Sequence, residues 1–380
     1  MLKALMAAML MTGIACGAEN VKDHGAVGDG RWDDTVAIQR AADICVAKLR
    51  AINPSGGSFQ ASKPVLYFPA GKYLISKTIN LQSYQAIRGE DAIVIQQDPA
   101  LVIFNFQNCY RITIDSLQFV GGSVQLQFSN ANVDMTRLTI RECCFQAWTQ
   151  AAITAEGTGP DLHMSATLNI QTSVFDGGTM LLTRCDSTSL EHCRHQFRGP
   201  NVVNGTPAIC NKWTGGVLRL TDFTATPALL PDPMTGEFVR GKWIDNWGSV
   251  IADGCRFGGE SGGMPVITHN GPPNTVNPWM GRAIIITNSQ VCCGQNPWPE
   301  SSLITLNGLP QCIRVTACRG ITSNTIPLIK VASGYDLAGD VASISANAAP
   351  SLVMYSIVLQ GNQFYAPTPI PSPLQQFVKP

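Results

Sequence analysis

The feature that most constrains the fold is a degenerate repeat of short β-rich segments, each ending in a large apolar residue. The segments RITIDSLQF, LTIRECCF and LNIQTSVF are clear examples. The intervals between the first seven end residues are 26, 30, 22, 26, 34 and 34 residues, so the repeat carries variable insertions. Self-similarity at periods of this size indicates a solenoid, in which equivalent positions of successive coils stack. The end residues are Phe119, Phe145, Phe175, Phe197, Phe223, Phe257, Val291 and Phe364.

The position two residues before each end residue carries mainly small or hydrogen-bonding side chains. Stacking would make these positions a second internal ladder, in which cysteine acts as a small buried residue with a weak S–H donor. Disulfides and metal ligation are the alternatives for the 13 cysteines, but no CxxC pair supports a zinc or redox motif. The ladder positions are Leu117, Cys143, Ser173, His195, Thr221, Cys255, Ser289 and Asn362, and Cys318 fits the same place.

The first 18 residues have the pattern of an export signal. Lys3 supplies positive charge, an apolar stretch runs from Ala4 to Ile14, and small residues suited to cleavage follow. We therefore expect a secreted or periplasmic protein. A buried N-terminal helix is one alternative and a lipid anchor at Cys16 another, although Cys16 lacks the usual leucine three residues earlier. No later apolar run is long enough to predict a membrane span.

The overall charge is balanced, with 26 basic and 26 acidic residues, and charged residues make up only 14% of the chain. No basic excess marks a nucleic-acid-binding surface. The hydrophobic fraction of 45% allows a large buried core in a chain of 380 residues.

Residues 19–76 have a character of their own. A glycine-rich turn is followed by Asp33, Asp34 and Thr35, whose side chains suit the first turn of a helix. Ile38, Ala42, Cys45 and Leu49 then recur at helical spacing. Two short apolar strands, VLYF and YLI, come next.

This opening, VKDHGAVGDGRWDDTVAIQRAAD followed by VLYFPAGKYLIS, resembles that of the pectate-lyase-like (pectin lyase fold) superfamily, and of its rhamnogalacturonase- and epimerase-like members in particular. The resemblance implies an all-β, single-stranded right-handed parallel β-helix over residues 19–365. In the family, the segment matching residues 19–76 forms an N-terminal cap that contains the helix. The resemblance also implies a polysaccharide as ligand or substrate. The five prolines of residues 366–380 predict an extended C-terminal tail.

The catalytic patterns of the enzymatic relatives are missing. The chain contains no Asn-Thr-Asp, Gly-His-Gly or Arg-Ile-Lys triplet, and no evident set of calcium-binding aspartates with a paired arginine. A fold does not establish an activity. A polysaccharide hydrolase or lyase is therefore our first expectation, and a non-catalytic glycan-binding or cell-surface protein is the alternative. A lyase would use calcium, and a tail-spike-like protein would be a homotrimer rather than a monomer.

The densest group of candidate site residues lies between residues 240 and 269. Hydrolysis needs two carboxylates across the glycosidic bond, whereas elimination needs a base and a cation that neutralises the uronate. Trp243 and Trp247 offer faces for sugar rings, unless they are core residues and the aspartate between them caps a turn. The candidate catalytic residues are Asp245, Glu260 and Asp176, and the candidate substrate-binding residues are Trp243, Trp247, Arg240, Lys242, Arg256 and His269.

A second charged group lies in SLEHCRHQF. Alternation along a strand would place Glu191, Cys193 and His195 on one face. We interpret His195 as a hydrogen-bonded core residue, with a metal site as the alternative.

Overall fold

The structure is a computed structural model, and it describes residues 17–52, 64–82, 85–107, 110–130, 136–157, 164–197, 206–226, 242–259, 266–271, 282–293, 302–321, 328–347, 356–362 and 370–379. The predictions for Cys16, Arg240, Glu260 and Phe364, and for most of the signal segment, lie outside these residues.

All pairings between the described strands are parallel and join successive coils, as expected for a β-helix. The strands, numbered β1 to β32 along the chain, form one sheet of 22 strands and one of ten. The ten-stranded sheet contains β5 (Ile79–Leu81), β7 (Phe104–Gln107), β9 (Val124–Asn130), β12 (Ala151–Gly157), β15 (Leu181–Thr183), β18 (Pro207–Asn211), β21 (Lys242–Asn246), β24 (Ile267–His269), β27 (Ile304–Leu306) and β30 (Ile329–Val331).

The larger sheet bends along its length, so that most coils contribute one strand to a first arm and one to a second arm. It begins with β1 (Glu19–Asn20), β2 (Asp29–Asp33), β3 (Val65–Phe68), β4 (Gly71–Ile75), β6 (Ala86–Gln96) and β8 (Ile112–Gly121). The first arm contains β10 (Thr136–Arg141), β13 (Met164–Gln171), β16 (Cys185–Glu191), β19 (Val217–Thr221), β22 (Ser249–Asp253), β25 (Ala283–Thr287), β28 (Cys312–Thr316) and β31 (Ser356–Gln360). The second arm contains β11 (Cys144–Gln146), β14 (Val174–Asp176), β17 (Arg194–Gln196), β20 (Thr224–Thr226), β23 (Arg256–Gly259), β26 (Gln290–Cys293) and β29 (Arg319–Ile321). The last strand is β32 (Val378–Lys379).

The bend between the arms is made by one residue per coil in the left-handed backbone region. Most of these residues are not glycine: Thr172 has φ 49° and Asp222 has φ 48°. The residue after each of them points into the core and forms the predicted ladder of small side chains. Ser173 Oγ, for example, donates to the Gln171 carbonyl at 2.9 Å and accepts the Cys143 N–H at 3.2 Å. The left-handed residues are Ser116, Glu142, Thr172, His192, Asp222, Gly254, Asn288, Ala317 and Gly361.

The ladder explains the buried cysteines. The Sγ of Cys193 lies 3.4 Å from the Glu191 carbonyl oxygen, and Cys255 and Cys318 make the same contact in their own coils. Each of these carbonyls also accepts a backbone N–H from the preceding coil, as Glu191 does from Thr172 at 2.9 Å, so the thiol is its second hydrogen-bond partner. Burial raises the pKa of the Cys143 thiol to about 12 and that of Cys193 to about 11. The cysteines whose side chains are described are unpaired, which confirms their packing role.

In two coils, the prediction of which residue occupies the end position is wrong. His195 and Ala225, not Phe197 and Phe223, align between Phe175 and Phe257. The small-residue ladder consequently holds Cys193 and Phe223 instead of His195 and Thr221. The end position lies three residues after the residue in the left-handed region, which in these coils is His192 and Asp222. The stack formed by Phe145 and Phe175, with ring centroids 4.7 Å apart, is interrupted there.

Near the N-terminus, a 3₁₀-helix (Val21–His24) precedes helix α1 (Thr35–Ile52), which buries Ile38 and Cys45 against the first strands. Asp33 Oδ1 accepts the Thr35 N–H at 3.0 Å, and the Asp34 carboxylate accepts the N–H groups of Val27 and Gly28. The turn and cap roles predicted for these aspartates are confirmed. Closure of the solenoid end by α1 stays a prediction.

Near the C-terminus, helix α2 (Leu337–Asn347) is followed by β31 and a second 3₁₀-helix (Ser372–Phe377). Strand β32 then pairs with β31, with Val378 beside Ile357. Leu374 is buried. Over residues 370–379 the segment thus packs on the last described coil, which differs from the extended tail predicted from its prolines. None of the described helices is long and apolar enough to span a membrane.

Candidate functional site

The ten-stranded sheet has an apolar inner row and a polar outer row. The inner row is almost entirely isoleucine, leucine and phenylalanine, and it packs into the core. The next residue of each strand points to the opposite side. These outer-row residues are Asn80, Asn105, Gln127, Thr154, Leu182, Cys210, Asp245, Thr268, Thr305 and Lys330.

The outer row is a long line of amide, hydroxyl and charged groups that Leu182 and Cys210 interrupt near its middle. At about 4.8 Å per strand, its ten positions span roughly 43 Å. Exposure varies along the row: Asn80 is exposed, Asn105, Gln127, Asp245 and Lys330 are half-buried, and Cys210, Thr268 and Thr305 are buried. Such a row can hydrogen-bond to an extended ligand over many repeating units.

Five charged side chains lie near the middle of this face, and we call them the charged cluster. Arg184 Nε is 3.6 Å and Lys212 Nζ is 3.8 Å from Glu156 Oε1. Lys242 Nζ is 3.8 Å from Asp245 Oδ1. These are ion-pair separations, longer than hydrogen bonds. Three cations face two carboxylates, so the cluster carries one excess positive charge when every group is ionised.

Asp245 has the most perturbed environment in the charged cluster. Burial raises its pKa above the ordinary value, while Lys242 and the Asn270 side chain oppose that shift. Its side chain is 15% exposed, and Oδ1 accepts no hydrogen bond. A carboxyl group in this setting keeps its proton to higher pH and can act as a general acid.

Other polar atoms on the same face are also buried without a hydrogen-bond partner. They are Thr154 Oγ1, Glu156 Oε1, Arg184 Nε and Thr268 Oγ1. Each such atom costs about 1–3 kcal/mol if it stays unpaired. With Asp245 Oδ1, this face holds five of the eleven buried atoms of this kind among the described residues, and a polar ligand bound there would supply their hydrogen-bond partners.

The structure brings together two of the predicted site residues, Asp245 and Lys242, whose charged atoms are 3.8 Å apart. Trp247 is half-buried just after β21, and its backbone N–H donates to the Asn211 carbonyl of the preceding strand at 2.9 Å. Asp176 lies on β14 in the second arm of the larger sheet. Asp176 and Asp245 are therefore on different sheets, and we find no acid–base pair between them. Arg256 is exposed on the second arm, away from the charged cluster.

Two predicted ligand-binding residues are core residues. Trp243 is 2% exposed, and its ring centroid lies 5.0 Å from that of Phe197, so it offers no free face to a sugar. His269 is fully buried, and its Nδ1 accepts from Asn246 Nδ2 at 3.2 Å. Burial lowers the His269 pKa to about 3. Both side chains fill the interior because the rows that contain them face the core.

The interpretation of His195 as a hydrogen-bonded core residue is confirmed. It is fully buried, and its Nε2 lies 2.9 Å from the Gly178 carbonyl oxygen. Burial lowers its pKa to about 4. Among the described residues, no three His, Cys, Asp or Glu side chains form a group that could hold a metal ion, and calcium stays a prediction.

Sequence reasoning missed Glu156 and Lys212 as site residues. Each lies three positions after an inner-row residue, Ile153 and Ile209 respectively, and Arg184 has the same offset from Leu181. That shared offset was the available signal. It could be recognised only once the inner row of each coil was known.

Comparisons with known proteins agree with this architecture. Residues 18–178 match the family described as rhamnogalacturonase A/epimerase, pectate lyase-like. Plasmin and fibronectin-binding protein A of Streptococcus pneumoniae is 32% identical over 125 residues, which cover 31% of this chain and 15% of that protein. The chain thus matches only a small part of this curated relative.

Two solved viral proteins share the fold. A double mutant of the tailspike protein of E. coli bacteriophage HK620 aligns with a TM-score of 0.52 and 12% identity, over 95% of this chain and 67% of that one. ORF18 of Geobacillus virus E2 aligns with a TM-score of 0.50 and 14% identity, over 86% of this chain and 60% of that one. At these identities the likeness concerns the fold alone. Together with the two parallel sheets, it shows an all-β parallel β-helix, and the family match shows a pectate-lyase-like domain over residues 18–178.

Proposed function

We propose that this chain is an exported protein that binds a polysaccharide along the outer face of the ten-stranded sheet. The observation that carries the proposal is the long outer row of hydrogen-bonding side chains, interrupted at Leu182 and Cys210, with buried polar atoms on the same face that have no hydrogen-bond partner. Sugar hydroxyls both donate and accept, so they match a surface of amides, hydroxyls and carboxylates. The pectate-lyase-like family match supports a carbohydrate as the ligand.

The charged cluster favours an acidic sugar. Lys242 and Lys212 each lie at ion-pair distance from a carboxylate, and the cluster has one positive charge in excess. If Asp245 is protonated, the excess grows. A uronate carboxylate would be attracted to this position, whereas a neutral sugar would gain only hydrogen bonds.

A second candidate function is cleavage of that polymer, either hydrolysis or elimination, centred on Asp245. The raised pKa of its carboxyl group favours a role as proton donor. The nearest carboxylate of the cluster, Glu156, is three strands away, about 14 Å along the sheet. Hydrolytic pairs are separated by at most about 9.5 Å. The cluster therefore favours elimination over a two-carboxylate hydrolysis. Lys212 and Lys242 would neutralise the uronate, while ionised Asp245 would take the proton beside the uronate carboxylate and, once protonated, give it to the leaving oxygen.

The test is to incubate the purified protein with polygalacturonate, alginate, dextran and cellulose, with and without calcium. Binding would be measured by calorimetry, and reducing ends and ultraviolet absorbance would be followed together. Asp245→Asn removes the candidate acid, and Asp186→Asn is the matched control because Asp186 is exposed on the first arm. We expect Asp245→Asn alone to abolish cleavage of the acidic polymer and to tighten its binding, because the variant lacks one negative charge of the charged cluster.

The outcomes separate the possibilities. Reducing ends with ultraviolet absorbance would establish a lyase, and reducing ends alone a hydrolase. Binding without cleavage would establish a glycan-binding protein. If no polymer binds, or if both variants behave alike, the outer face is not the site.

The name of the pneumococcal relative assigns plasmin and fibronectin binding to that protein. Plasmin and fibronectin should therefore be tested as ligands beside the polysaccharides.

A further inference from the structure

A regular row of arginines runs along the outer side of the second arm. Arg194, Arg256 and Arg319 occupy equivalent positions on alternate strands, with Thr224 and Gln290 on the strands between them. We call this set the arginine row. Neighbouring strands are about 4.8 Å apart, so the positive charges recur about every 10 Å along the solenoid axis.

The three arginines are exposed, and none of them forms an ion pair within the part of the chain that the structure describes. The acidic residues beside the row have other partners. Asp222 lies 3.4 Å from His192, and Asp253 accepts from Thr287 and Asn288. Asp176 lies diagonally beside Arg194, at one end of the row. The middle and the far end of the row therefore keep their positive charge.

We propose that the arginine row binds a linear anionic polysaccharide that carries one acidic group per disaccharide and lies along the solenoid axis. A guanidinium group donates two parallel hydrogen bonds to a carboxylate or sulfate, which suits one arginine per acidic sugar. The neutral Thr224 and Gln290 would face the uncharged sugar of each repeat. The proposal is independent of the outer face of the ten-stranded sheet, because the row lies on the other sheet.

The same row is poorly suited to nucleic acid. A single strand carries a phosphate on every nucleotide, and proteins that bind it use aromatic side chains as stacking platforms. Equivalent positions of the preceding strands extend the arginine row back to Gln118, through Val174 and Cys144. None of the residues from Gln118 to Arg319 along this line is aromatic. A sparsely charged glycan needs no such platform.

The experiment compares two triple variants of the full chain. Arg194→Gln, Arg256→Gln and Arg319→Gln together remove the row. Arg137→Gln, Arg219→Gln and Arg314→Gln are the matched control, because these exposed arginines lie on the first arm without the alternate-strand spacing. The probes are hyaluronate, which has one carboxylate per disaccharide, polygalacturonate, dextran and a thymidine oligonucleotide. Affinities are measured at low and high salt.

Removal of the row should weaken hyaluronate binding about tenfold and reduce its salt dependence, because three exposed charge contacts are lost. The control variant should bind like the native chain. Equal losses in both variants, or no loss in either, would overturn the proposal. Tighter binding of polygalacturonate or of the oligonucleotide than of hyaluronate would overturn the assigned spacing or ligand class. A change in hyaluronate affinity in Asp245→Asn, with unchanged affinity in the variant that lacks the arginine row, would place the site on the other sheet and overturn the proposal.

Discussion

Mild acid should destabilise this protein through two buried histidines, His195 and His269. Burial lowers the pKa of His195 to about 4 and that of His269 to about 3, from an ordinary value of 6.5. Both are neutral in the folded chain at pH 5, whereas they are protonated in the unfolded chain. The unfolded state then binds more protons, so stability is full above pH 6.5 and falls as the pH drops towards 4 and 3.

The size of the effect follows from the pH interval. A pH of 5 is about 1.5 units below the pKa of a histidine in the unfolded chain. Protonation of that histidine therefore favours unfolding by about 2 kcal/mol per histidine. We expect the two together to lower the free energy of unfolding by about 4 kcal/mol between pH 7.5 and pH 5. Carboxylates with lowered pKa values, such as those of Asp33 and Asp253, remain ionised over this range and contribute little.

The assay is denaturant unfolding at both pH values, with variants that remove one histidine each. His195→Phe places a phenyl ring next to Phe175, whose ring already stacks on Phe145. It should remove about half of the pH dependence, even if the lost bond to the Gly178 carbonyl lowers stability at pH 7.5. His192→Gln is the control, because the His192 side chain is 64% exposed. If His195→Phe kept the full pH dependence of the native chain, the argument from burial would be refuted.

Three further predictions follow from the coil geometry. Cys193→Ser should change stability by less than about 1 kcal/mol because serine can keep the ladder bonds, whereas Cys193→Val should cost about 1–3 kcal/mol because its larger, branched side chain overpacks a buried position. Denaturant unfolding measures both. A thiol reagent should leave native Cys193 unlabelled because its pKa is raised to about 11. Thr172→Gly should stabilise the chain by up to about 1 kcal/mol because glycine accepts the positive φ without strain; a lower denaturation midpoint would contradict this. Deletion of residues 370–379 should expose the edge of β31 and promote aggregation, detected by light scattering.

The sequence predicts the inner part of the coil better than the outer part. The recurrent ladder positions at Cys143, Ser173 and Cys255 could be recognised because they serve the same backbone bend in every coil. The end positions at His195 and Ala225 were predicted wrongly because we searched for phenylalanine. The left-handed residue three positions earlier is the better marker of the end position. Side-chain identity can vary along an interior row, whereas the backbone bend recurs in every coil.

The candidate site was harder to predict because sequence order does not show which sheet a residue occupies. Glu156 and Lys212 are far apart in the chain, yet they meet across two coils because both follow an inner-row residue by three positions. Asp176 and Asp245 were both predicted as catalytic residues of one site, but the turn after Asp176 leads onto the other sheet. In a solenoid, the offset of a residue from its own inner row determines its neighbours. Candidate residues in such chains should therefore be grouped by that offset before any chemistry is assigned to them.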